Sequence, residues 1–205
     1  MDVRGLTEIQ FSALREIANI GAGHAATALS NMTTRAITVS VPDVKVVALE
    51  DVSSAMGDPQ EPVSAVVMKV LGDVTGRTLQ LFPAGTAATL VEIMGGRKGL
   101  EFPRDLGPAE QSILEEVGNI IVGAYLNALS EFMGMLLIMS VPSFAMDMVG
   151  AVLSTSYVNF GADQDFVFVM NTDLMLDGKT EMGAHFLLIP DDASLEAMLR
   201  ALRLV

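Results

Sequence analysis

The segment Ser12-x3-Glu16-x2-Asn19 returns one hundred residues later as Ser112-x3-Glu116-x2-Asn119. Each copy then runs twenty-two residues to a proline, Pro42 or Pro142, inside the same tripeptide Ser-Val-Pro. Core packing asks only for hydrophobicity and volume, so it gives no reason to keep a hydroxyl, a carboxylate and a carboxamide at fixed spacing twice. The chain reads as a tandem duplication that has kept a polar constellation, and two sites are the first expectation.

The pattern around the motif is helical. From Thr7 to about Met32, the residues Phe11, Leu14, Ala18, Gly21, Ala25 and Leu29 recur at three- and four-residue steps, the signature of one buried helix stripe. Ser12, Glu16, Asn19 and Gly23 form a second stripe, within roughly 60° of one another and nearly opposite the first. The polar set is therefore expected on an exposed face, with small Gly23 leaving room for close approach.

Four strands are expected next, over 36–41, 44–49, 63–71 and 78–82, then a helix from Gly85 to Met94 that stops at Gly95-Gly96. The second half replays this order. It has a helix over 107–133, strands over 135–141, 151–158, 165–174 and 181–189, and a helix over 192–202. The expected fold is a layered α/β (α+β) domain with pseudo-two-fold symmetry. Two duplicated helix–strands–helix units share a β-sheet covered by the two long motif-bearing helices. The whole chain, 1–205, forms one domain of two tandem repeats, with 1–96 as the first, 97–106 as linker and 107–205 as the second.

Composition narrows the function. A net charge of −13 with no basic cluster beyond Arg97-Lys98 argues against a nucleic-acid partner. There is no cysteine, so thiolate catalysis, disulfides and Cys-based metal sites are excluded. The first residues lack a signal-peptide pattern, and polar or breaking residues interrupt the apolar stretch after Glu116 before the ~18 residues a span requires. A cytoplasmic protein without membrane insertion is expected.

A carboxamide offers one acceptor and two donors, so it can hold a water and an oxyanion together. That is the task of a residue that orients an attacking water in phosphoryl hydrolysis. A carboxylate can act as base, bind a metal or pair with a partner's lysine. Neither motif is accompanied by a Gly-rich phosphate cradle or a cluster of Arg and Lys, and Glu repels a bare phosphate. A phosphoprotein that brings its own lysine and divalent cation removes that deficit.

The pattern [Asp/Ser]-x3-Glu-x2-Asn-x22-Pro, present over 12–42 and 112–142, resembles the signature of the CheC/CheX/FliY family of chemotaxis phosphatases. With two motifs and no added segment, the chain is similar to the CheC-like members. The resemblance implies hydrolysis of the aspartyl phosphate on the response regulator CheY. Glu16 and Glu116 would dock on a CheY lysine, and Asn19 and Asn119 would position the water. Ser12 and Ser112 would orient the carboxylate or cap a turn, while Pro42 and Pro142 would end the strand behind each helix. No cofactor is implied on this chain; Mg²⁺ would sit on phosphorylated CheY. It also implies binding of the receptor deamidase CheD. For that contact the segment holding Phe144, Met146, Asp147 and Met148 is the candidate, as an exposed apolar knob. The alternative function is an adaptor or regulator of CheD with weak phosphatase activity.

Other features read as structural. His24 and His185 lack partners at metal-ligand spacing, Asp163, Asp165, Asp173 and Asp177 lack calcium-loop spacing, and most of the fourteen methionines read as core filler. A glycosidase-like pairing of Glu16 with Glu116 is disfavoured by the absence of tryptophan and by 5% aromatic content, since sugar sites need stacking platforms.

Overall fold

Strand residues in this chain are apolar on both faces. Val66, Met68 and Val70 point into one buried cluster, while the alternating Val63 and Ala65 point into another. Such a strand has to lie in a sheet covered on both sides. The computed structural model of the protein, which describes residues 8–158 and 166–201, has that arrangement.

The first copy comprises α1 (Glu8–Thr33), β1 (Ile37–Ala48), a short 3-10 turn, α2 (Val52–Ala55), β2 (Pro62–Gly72), β3 (Gly76–Pro83) and α3 (Ala84–Gly95). The second comprises α4 (Pro108–Met133), β4 (Leu137–Met139), β5 (Ser143–Met148), α5 (Val149–Val158), β6 (Phe166–Leu176), β7 (Thr180–Pro190) and α6 (Asp192–Ala201). The expected mixed fold with two long motif helices is the observed one. Residues from α1, α3, α4 and α6 share the larger core on one face of the sheet. Val52 and Met56 of the α2 region, with Val149, Val152 and Leu153 of α5, fill a smaller core on the other face.

Strand order is β1-β6-β7-β3-β2-β4, with β5 also on β2, and every pairing is antiparallel. The order is palindromic. Val44 faces Met170 where Phe144 faces Val66, and Ile37 faces Leu176 where Leu137 faces Gly72. At the centre Leu79 lies opposite Leu187. Each copy's first strand thus pairs with the other copy's second strand, and the halves interlock. Antiparallel strands related in this way, with both long helices on one face, place the pseudo-two-fold normal to the sheet. The two helices therefore run antiparallel.

Several elements differ from expectation. The two strands expected over 36–41 and 44–49 are one strand, β1 (Ile37–Ala48), whose register shifts between Ser40 and Asp43. Pro42 does not end the strand; it sits in that bulge, on an edge strand, where a missing N–H costs least. Pro142 occupies the matching break between β4 and β5. Residues 151–158 are helix, not strand. Their β-branched composition suggests a strand, but Val149, Val152 and Leu153 at helical spacing supply the buried face. Residues 143–148, read as a knob, form edge strand β5. Asp163 and Asp165 lie outside the described residues.

Tight connections hold the motif helices to their strands. Ser30 donates to the Ile37 carbonyl and accepts from its N–H, both at 3.0 Å. Ser130 repeats the tie by donating to the Met135 carbonyl at 2.6 Å. At the start of α4, Glu110 accepts from the Gly107 N–H at 3.0 Å and from Arg97 at 2.8 Å. This holds the linker to the helix, and the Arg97 guanidinium keeps the Glu110 carboxyl below its ordinary range.

Candidate functional site

The motif helices are oriented by what they bury. Leu14, Ile17, Ala18, Ala22, Ala25 and Leu29 of α1 are at most 1% exposed, and Leu114, Val117, Ile121, Val122 and Tyr125 anchor α4 in the same core. With these stripes turned down, Ser12, Glu16, Asn19 and Gly23 face outward and are exposed. In α4, Ser112 and Glu116 are exposed and Asn119 is half-buried. All four Glu and Asn side chains are free of hydrogen bonds and ion pairs among the described residues. The carboxylate and the carboxamide at i and i+3 share one helix face in each copy.

The two faces differ in their surroundings. Around Gly23 a Cβ would meet nothing within 4 Å, whereas at Gly123 it would lie 3.0 Å from Cε of Met139. The α4 site thus has a methionine wall where the α1 site is open. Among the described residues, Ser12 and Ser112 hydrogen-bond neither to the neighbouring Glu nor to the helix backbone. Pro42 lies in the bulge of edge strand β1 and Pro142 in the break between β4 and β5; among the described residues no hydrogen bond ties either to the motif Glu or Asn side chains.

Among the described residues, the motif side chains line neither of two surface depressions. A depression of about 350 Å³ is lined by Val67, Ser143, Ala145, Ala151 and Val152, among others, and one of about 460 Å³ by Glu61, Thr86 and Glu181 with their neighbours. Small-molecule sites are concave; outward helix faces with a free carboxylate and amide suit a macromolecular surface that closes over them. In the segment read as a partner contact, Phe144 packs half-buried against the large core, while Met146 and Met148 are 38% and 53% exposed. Asp147 accepts from the Met148 N–H at 2.8 Å. His185 is half-buried in β7 with Nδ1 2.9 Å from Asn171 Oδ1, and His24 is exposed on α1.

Comparison with known proteins identifies the family. The model of the CheC-like family matches residues 9–46 and 110–146, the two stretches that carry the motifs from serine to proline. The chain is 32% identical over 201 residues to the CheY-P phosphatase CheC of Bacillus subtilis, covering 97% of this chain and 96% of that protein. It belongs to the CheC-like family. Another relative, the flagellar motor switch phosphatase FliY of B. subtilis, is 28% identical over 63% of this chain and 33% of its own length. Thermotoga maritima FliY superposes with a TM-score of 0.79 at 21% identity, over 97% of this chain and 98% of that one. The FliM middle domain of H. pylori gives 0.70 at 12% identity, over 96% and 99%. These likenesses carry the CheC-like fold. No described helix is long and apolar enough to cross a membrane.

The two motif faces diverge beside the motif Asn. Residue 15 is Arg and its repeat counterpart 115 is Glu, each one turn before the motif Asn. The repeat marks what the copies share and leaves this divergence unmarked.

Proposed function

We propose that this chain is a chemotaxis protein phosphatase that removes the aspartyl phosphate of the response regulator CheY at two sites, one on α1 and one on α4. The carrying observation is the duplicated pair of outward, unpartnered Glu and Asn side chains, in a chain similar over its length to a CheY-P phosphatase. Glu16 or Glu116 docks on a lysine of the regulator. The amide of Asn19 or Asn119 then accepts a hydrogen bond from water and donates one to a phosphoryl oxygen. Water oxygen bonds to phosphorus, the bond to the aspartyl oxygen breaks, and inorganic phosphate and the free carboxylate leave. Mg²⁺ in this reading is held by the regulator, and the reaction takes place in the cytoplasm.

Replacing Asn19 and Asn119 together by Ala is expected to leave the fold intact and to return regulator dephosphorylation to its intrinsic rate. Unchanged turnover in that double variant refutes the mechanism.

A second reading, an adaptor that binds the deamidase CheD with only weak hydrolysis, is favoured by one observation: Met146 and Met148 are exposed on an edge strand, where apolar surface marks a contact. Binding of CheD that survives Asn19→Ala/Asn119→Ala but fails in Met146→Asp/Met148→Asp supports that contact. Tight CheD binding with negligible dephosphorylation under all conditions makes the adaptor reading the primary one.

A further inference from the structure

The two motif copies agree at Ser, Glu, Asn and Gly and disagree beside them. Arg15 of α1 is replaced by Glu115 in α4. At about 100° per residue, position 15 lies one turn before Asn19 and about 40° around the helix from it, so residues 15 and 115 border the amide on the same flank. Arg15 is exposed and Glu115 half-exposed. Neither forms an ion pair among the described residues.

The consequence is electrostatic. On α1 the charges of Arg15 and Glu16 cancel locally, with Glu8 further back towards the start of the helix. On α4 Glu115 and Glu116 add, and the other acid of that first stretch, Glu110, is already engaged by Arg97. A charge at the rim of a docking surface acts mainly on association and on its salt dependence. Its reach is about 10 Å at 0.1 M salt, enough to cover a motif face.

We propose that residue 15 or 115 is a specificity-determining residue that makes the two sites inequivalent. The α4 site, with two carboxylates, captures the cationic docking surface of the phosphorylated regulator tightly and in a salt-sensitive way. The α1 site, neutralised by Arg15, binds it weakly and with little salt dependence. The inference rests on the phosphatase reading, and it assigns the residue to docking, so it acts on KM and Kd and leaves kcat per site in place.

The test uses full-length single-site proteins, Glu116→Lys to leave the α1 site and Glu16→Lys to leave the α4 site. Thermal melts establish that each variant is folded. The probe is the Mg²⁺-loaded response regulator carrying beryllofluoride on its aspartate, titrated at about 50 mM and about 500 mM KCl. The α4-site protein is expected to bind about three- to tenfold more tightly at low salt and to lose that advantage at high salt. Arg15→Glu in the α1-site protein transfers the gain, and Glu115→Arg in the α4-site protein removes it, with kcat of each unchanged. Equal affinities and salt slopes, or swaps without effect, overturn the inference while the phosphatase reading stands. Absence of binding by both proteins overturns the two together. Charge-dependent binding without hydrolysis overturns the phosphatase reading alone.

Discussion

Gly21 of α1 lies so close to Tyr125 of α4 that a Cβ built on it would stand 2.6 Å from the ring Cδ1 and 3.0 Å from Cα. The two motif helices cross there, and the missing side chain sets how near they approach. Tyr125 is fixed from below by Phe186, with ring centroids 5.0 Å apart, and by its hydroxyl, 3.2 Å from Thr172 Oγ1. It has nowhere to retreat. Gly21→Ala is therefore expected to cost about 1–3 kcal/mol, the usual penalty for overpacking, read as a lower urea midpoint with an unchanged slope.

Gly23, two residues on, gives the opposite sign. Nothing lies within 4 Å of its Cβ direction, so Gly23→Ala gains helix propensity and should stabilise by about 0.5–1 kcal/mol. The new methyl group stands on the Glu16–Asn19 face, however, where the partner is proposed to close. Higher stability with slower dephosphorylation at the α1 site, measured in an Asn119→Ala background, is the expected outcome. Faster or equal turnover shows that the partner leaves that space empty.

Gly118 and Val66 couple helix to sheet. A Cβ on Gly118 would lie 2.7 Å from Val66 Cβ and within 2.9 Å of both its methyl groups. Gly118→Ala should destabilise by about 1–3 kcal/mol by lifting α4 from β2. Val66→Ala alone leaves a cavity and destabilises too. Combined, the two changes should cost less than their sum, with an interaction energy of at least about 0.5 kcal/mol. Additivity in that double-mutant cycle argues that α4 shifts along the sheet without resistance from Val66.

The start of α4 makes an acid-side prediction. Glu110 has its carboxyl pKa lowered by the hydrogen bond from Arg97, with backbone N–H donors assisting. A depressed carboxyl contributes stability that is present above its ordinary value of 4.5 and is lost as pH falls through the folded value. Glu110→Gln should remove that part of the acid slope, and amide exchange in the first turn of α4 should rise at neutral pH. An unchanged acid limb and unchanged exchange together rule out the anchoring role.

What the sequence made legible follows from what repetition and periodicity encode. The motif helices stood out because the apolar stripe through Leu14, Ala18 and Leu29 and the polar stripe through Glu16 and Asn19 obey one period and recur. Gly72 to Gly76 and Asp177-Gly178 marked hairpins because positive φ, found at Gly72, Gly76, Asp177 and Gly178, favours those residue types. The exchange of first strands between copies was hidden: Val44 pairs with Met170, and no local pattern names a partner so far along the chain. Helix α5 was hidden because its β-branched residues have strand propensity, and burial of Val149, Val152 and Leu153 overrode it. Pro42 suggested a strand end, but an edge strand absorbs a proline in a bulge.

His185 supplies a prediction at milder pH. It projects from β7 beside Asn171, and its pKa lies below the ordinary 6.5, because burial disfavours the imidazolium; the nearby Asp173 carboxylate pulls the other way without reversing the shift. The folded protein refuses a proton that the unfolded chain accepts, so the unfolded state binds more protons in the window from 6.5 down to the folded value. Stability is thus held above that window and declines as pH drops through it. The carboxyls lowered by ion pairs, Asp177 with Arg35 and Glu110 with Arg97, respond only below their ordinary values of 3.8 and 4.5, which keeps the two effects apart. Urea unfolding of the wild type should show a falling midpoint between about pH 7 and about pH 5.5, and His185→Gln, which keeps an amide-sized polar group beside Asn171, should flatten that stretch. The same slope in both proteins would place the titrating group elsewhere, and a steeper slope in the variant would mean that Asp173 outweighs burial and holds the imidazole charged.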